Sequence, residues 1–136
     1  MKKQLISFGQ DALELPAANQ MKFVRRLMES RPVLERIPDQ SLVVENNLGA
    51  AERIQVTRGS DYAFIYAATG KAFTVNLGKI SGTMLNAYWF DPRKGEVKML
   101  EKLENKGTKT FTPPTSGYAQ DWILVLDDAA KNYKQP

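Results

Sequence analysis

AYWFDPRKG, Ala87–Gly95, sets three aromatic side chains in a row directly ahead of a turn. Successive side chains of a strand point to opposite faces. Trp89 therefore shares one face with Ala87 and Leu85, and Tyr88 shares the other with Met84, Asn86 and Phe90. Both faces need a cover, and the two covers need not be the same. The small Ala87 beside the large Trp89 suits interdigitated packing, which directs the Trp89 face into a closed core. A tyrosine hydroxyl beside an asparagine amide tolerates a wetter boundary, so the Tyr88 face is expected to meet a further domain, a second subunit or a glycan.

The same stretch contains a hairpin signal. Pro92 pre-sets the first turn residue, Asp91 bonds the backbone ahead of it, and Gly95 takes the left-handed position that returns the chain. Working outward, two-residue periodicity with Gly, Pro, Asn or Asp punctuation predicts strands near Ser41–Glu45, Arg53–Arg58, Tyr62–Ala68, Ala72–Asn76, Thr83–Phe90, Val97–Glu104, Lys109–Thr112 and Trp122–Leu126. Upstream the period lengthens. Ala17, Met21, Val24 and Met28, with Leu27 alongside, form one apolar side of a helix that follows Pro16 and stops before Pro32. Lys22, Arg25, Arg26 and Glu29 fall on the other side. Arg25, Arg26, Arg31 and Arg36, interleaved with Glu29 and Glu35, read as a solvated face rather than a basic patch. The expected fold is mainly β: an antiparallel β-sandwich of about eight strands with one N-terminal α-helix, divided into residues 1–40 (helix and connector) and residues 41–136 (sandwich).

Composition narrows the function. The chain of 136 residues has no histidine and no cysteine, which removes the commonest general base, the thiol nucleophile and thiolate metal sites. Its net charge of +4 comes from intermixed cations and anions, without the one-sided basic footprint of a nucleic-acid binder. No apolar run approaches the roughly 20 residues of a membrane helix, so a soluble chain is expected. Met1-Lys2-Lys3 is not followed by the apolar stretch of about 7–15 residues that a signal peptide requires; an export signal, if there is one, lies upstream.

Carboxylates remain as the acid/base groups: Glu45, Glu52, Asp61, Asp91, Glu96, Asp121, Asp127 and Asp128 all fall near strand ends. None forms a motif that marks a catalytic pair, and each has a plain role as a turn residue or edge charge. No Asp-rich loop has calcium-ligand spacing. The expectation is no catalytic residue, no metal and no cofactor. The aromatic rows carry more. Tyr62, Phe64 and Tyr66 alternate with Ala63, Ile65 and Ala67, and Trp122, Leu124 and Leu126 oppose Ile123 and Val125. A row of rings on a wet strand face is a platform for sugars; rings this dense more often make a core on one face and an interface with a helix or second domain on the other. Tyr88, Phe90, Asn86, Tyr62 and Tyr66 are the binding candidates.

Three pieces, Phe90-Asp91-Pro92-Arg93-x-Gly95, Phe111-x-Pro113-Pro114 ahead of Gly117, and Asp121-Trp122-Ile123-Leu124-Val125-Leu126-Asp127-Asp128, resemble a C-terminal β-sandwich family known as the putative collagen-binding domain of a collagenase. That domain commonly follows an apiosidase-like glycoside hydrolase (β/α)8 barrel. The upstream ESRP and PDQ stretches resemble the junction where the barrel's last helix enters the sandwich. The resemblance implies a non-catalytic accessory domain, with the barrel or a second subunit as partner, polysaccharide or collagen as ligand, and a secreted or periplasmic setting. The family's catalytic carboxylates have no counterpart here.

Overall fold

The computed structural model describes residues 18–44, 54–117 and 119–136. Helix α1 (Ala18–Glu29) leads into β1 (Ile37–Pro38), β2 (Ile54–Arg58), β3 (Tyr62–Ala67), β4 (Phe73–Asn76), β5 (Met84–Asp91), β6 (Glu96–Glu104), β7 (Thr108–Phe111) and β8 (Trp122–Asp128). All pairings are antiparallel. One sheet has the order β1-β2-β3-β8-β5-β6, and β4 pairs with β7 in a second, smaller one. The expected mainly β sandwich with an N-terminal helix is what forms. No helix among the described residues is long and apolar enough to cross a membrane.

One predicted strand is absent. At Ser41–Glu45 the chain makes a 3-10 turn over Gln40–Leu42 and a single bridge from Val43 to Val75, while Glu45 lies outside the described residues. The reason is local. Asp39 accepts hydrogen bonds from the Ser41 N–H (3.1 Å) and hydroxyl (2.5 Å) and caps the turn, so the backbone curls where alternation suggested extension. Conversely Ile37–Pro38, expected as connector, pairs with Arg58 and Thr57 at the sheet edge.

Trp89 enters the closed core as parity required. With Leu85, Ala87, Ile65, Leu124 and Leu126 it packs against Phe73, Val75 and Phe111 of the small sheet. Its indole meets Phe73 and Trp122 edge-on, with ring centroids 6.0 and 6.3 Å apart, the arrangement that aromatic quadrupoles favour. On the opposite face Tyr62, Phe64, Tyr88, Phe90, Ile123 and Val125 lie under Val24 and Leu27 of α1. Here the expectation of a separate partner for the Tyr88 face is corrected: its cover is the chain's own helix. Burying two such aliphatic side chains is worth roughly 1.5–3 kcal/mol each, enough to seat a helix this short.

The hairpin turn meets the middle of the helix. The Asp91 carboxylate accepts from the Arg93 N–H at 2.8 Å, the Asp91 carbonyl accepts from the Gly95 N–H at 2.7 Å, and Gly95 sits at φ 75°. A Cβ at Gly95 would stand 2.5 Å from the Phe23 ring, so this glycine supplies both the left-handed turn and the close approach of the helix. Arg26 of α1 donates to the Gly95 carbonyl.

Both aromatic faces are therefore core. Trp89→Ala and Phe90→Ala should each cost about 3–5 kcal/mol in urea unfolding, and Tyr88→Ala should be clearly destabilising as well. An unchanged midpoint for Tyr88→Ala would show that the helix does not seal this face.

Candidate functional site

The five aromatic and amide candidates separate into sealed and accessible groups. Tyr62, Tyr88 and Phe90 are buried beneath α1. The Tyr62 hydroxyl donates to the Pro32 carbonyl and accepts from Arg36 Nε at 2.9 Å. Burial raises the Tyr88 phenol above its usual range, the Asp127 charge pushes it further, and Arg31 opposes this. Tyr66 and Asn86 are half-buried. The structure does not bring the five into one exposed platform.

At the far end of α1 lies a polar cluster that sequence reasoning missed. Arg31 is 3% exposed, not a solvated helix-face cation. Its Nε and Nη2 reach the two Asp127 carboxylate oxygens at 3.0 and 2.6 Å, the two-pronged geometry that guanidinium and carboxylate share. The Arg31 guanidinium also lies 4.7 Å from the Tyr133 ring centroid, and the Tyr133 hydroxyl donates to Asp61 at 2.7 Å. Burial and the Asp61 carboxylate together raise the Tyr133 phenol well above its ordinary range. The end of the helix and the C-terminal tail are thereby fastened to neighbouring strands. The readable sign was an acidic pair, Asp127-Asp128, on a strand otherwise wholly apolar.

At the opposite end the family-like motifs converge. Arg93 contacts Asp91 at 3.0 Å, Asp121 at 3.6 Å and the Gln120 side-chain carbonyl at 2.9 Å, and lies over the Trp122 ring. Tyr66 donates to Asp121 at 3.0 Å, and the Trp122 indole N–H donates to the Thr115 hydroxyl at 2.9 Å. Burial pushes the Asp121 carboxyl up, against the lowering pull of the Tyr66 hydrogen bond and the Arg93 charge. Two carboxylates share one cation inside a knot of satisfied partners. That geometry locks the β5–β6 turn to the start of β8. Among the described residues, no group of three or more acidic side chains is placed to hold a metal ion.

An open concavity runs where β6, an edge of the large sheet, faces β7 of the small one. This groove of about 470 Å³ is lined by Trp89, Leu100, Leu103 and Phe111, with Met99, Glu101 and Lys109 toward solvent. Glu101 and Lys109 stand 3.9 Å apart. The groove thus has an apolar floor under one balanced charge pair.

The chain belongs to the family described as "Putative collagen-binding domain of a collagenase", which matches residues 37–127. Two solved structures are similar over nearly all of it. One is a glycoside hydrolase family 5 protein from Bacteroides vulgatus ATCC 8482, at 38% identity and a TM-score of 0.82, covering 92% of this chain and 27% of that one. The other is described as a glycoside hydrolase, at 37% identity and a TM-score of 0.81, covering 91% and 28%. This chain thus spans just over a quarter of each. No curated protein matches it. Arg31, α1 and Tyr133, which complete the fold, all lie outside the family match.

Two measurements test these clusters. Arg31→Met should cost about 3–5 kcal/mol by stranding a buried carboxylate, whereas Arg31→Met with Asp127→Leu should recover most of the loss; equal losses would mean the pair is idle. For Asp121, the folded carboxyl holds its proton to higher pH than the unfolded one near 3.9. Acidification from neutral pH toward about pH 4 should therefore raise wild-type stability relative to Asp121→Asn. A wild type that loses ground to the variant on acidification would show that Arg93, not burial, governs this group.

Proposed function

We propose that this chain is a non-catalytic accessory domain of a polysaccharide-degrading glycoside hydrolase, packing on the catalytic domain and helping to hold the polymer. The observation that carries the reading is the similarity across more than nine-tenths of this chain to a unit that makes up just over a quarter of a family 5 hydrolase. The chemistry is consistent with it. Asp61, Asp91, Asp121, Asp127 and Asp128 are each capped, paired or locked in the Arg93 knot, while the β6–β7 groove offers an apolar floor with a hydrogen-bonding pair at its mouth, suited to the ring faces and hydroxyls of a neutral glycan. Of the aromatic and amide candidates, Tyr66 and Asn86 keep partial exposure and stay in this role; Tyr62, Tyr88 and Phe90 act through packing.

The family description favours a second reading, an independent binding module for collagen or another extracellular polymer. Sedimentation of the purified chain with insoluble polysaccharides and with fibrillar collagen separates the two. Binding to at least one polysaccharide, weakened by changing Lys109 and Glu101 to Ala, with no reducing sugar released, is the expected result. Binding to collagen alone would favour the second reading. Hydrolysis abolished by replacing a single carboxylate would overturn both.

A further inference from the structure

Between α1 and β1 the chain runs inside out. Arg31 is buried against Asp127. Arg36 donates to the Met28 carbonyl at 2.6 Å and to the Tyr62 hydroxyl, with its guanidinium over the Phe64 ring. Glu35 accepts from the Ser60 N–H at 2.9 Å and the Ser60 hydroxyl at 2.6 Å, and these two hydrogen bonds hold its carboxyl below the usual range. Each charged group of the segment thus has a partner within the fold. The aliphatic side chains are left facing out: Val33 is 55% exposed, Ile37 50%, and Leu34 fully exposed. A turn closed by the Arg36 N–H on the Val33 carbonyl, at 3.1 Å, puts Leu34 at its tip. A lone exposed aliphatic residue is ordinary. Three within five residues, with each charge between and beside them already held by a partner of the same chain, is unlike an ordinary solvated loop and fits a surface made to meet another protein.

We propose that Val33, Leu34 and Ile37 form the surface that docks on the catalytic domain of a glycoside hydrolase. The proposal rests on the accessory-domain reading. In the two solved hydrolases the unit similar to this chain accounts for 27% and 28% of the polypeptide, so a large further body of protein is joined to it. Strand addition by a second copy is disfavoured at this edge. The edge strand β1 is only two residues long and includes Pro38, which has no N–H to donate. What the segment presents is side chains, which suits the surface of a folded domain.

The test exchanges the similar portion of the Bacteroides vulgatus hydrolase for this chain, with and without Val33→Asp and Leu34→Asp, and follows both proteins and the isolated chains by calorimetry and light scattering. The unsubstituted exchange is expected to melt in one transition, and the double variant in two, while the isolated chain melts at the same temperature with or without the substitutions because both side chains already face water. One unshifted transition in both exchanged proteins would overturn the assignment of this surface and leave the accessory reading standing. Two transitions in the unsubstituted exchange would count against the accessory reading itself, and the docking surface would fall with it. An isolated dimer dispersed by the substitutions would give the surface to a second copy and also overturn the proposal.

Discussion

Strands β3, β8 and β5 lie side by side in the larger sheet, and every residue of β8 from Trp122 to Asp128 is withdrawn from water. A strand buried on both faces requires a layer on each side, and the rest of the fold supplies them. The small β4–β7 sheet closes over the Trp89 side. Because one half-buried helix carries enough aliphatic surface for the other, α1 closes over Tyr62, Tyr88 and Phe90. The result is three layers built on a two-sheet sandwich. The edge strand β6 is covered only in part, through Val97, Leu100 and Leu103, and reads polar and exposed along much of its length.

Among the described residues, each buried charged side chain enters this interior with a partner. Withdrawing Arg31 and Asp127 from water costs several kcal/mol per ion, and paired hydrogen bonds and the Tyr133 ring offset that cost. Such a pair contributes little net stability but is strongly directional. It sets where α1 ends over the sheet, as Phe23 against Gly95 sets how closely its middle approaches the β5–β6 turn. The Arg93 knot does the same for the hairpin turn and β8.

The inward face of AYWFDPRKG was legible because strand parity and residue size are local properties. The identity of the cover over Tyr88 was not, since parity shows that a face is apolar and says nothing of what lies on it. Ser41–Glu45 failed as a strand for a local reason, the Asp39 cap, which alternation does not weigh. Arg31 looked like a surface cation because its partner is 96 positions away. The β6–β7 groove was equally hidden: its lining comes from β5, β6 and β7, which are divided between two sheets. The convergence of Tyr66, Arg93 and Asp121 likewise exists only after β3, β5 and β8 have come together.

The order in which the strands are made differs from the order in which they stand. β8, last in the sequence, lies between β3 and β5 at the middle of the large sheet. During synthesis, β1–β2–β3 and β5–β6 emerge as two separate antiparallel pieces, each with an apolar inner edge and no neighbour to pair with. Only when residues up to 128 have left the ribosome can the final strand slot between them and join the halves. Long-range pairing of this kind is slow to form and leaves unpaired edges open to association with other chains in the meantime. The nascent chain therefore passes through a stage in which its most apolar edges are the ones still waiting for a partner.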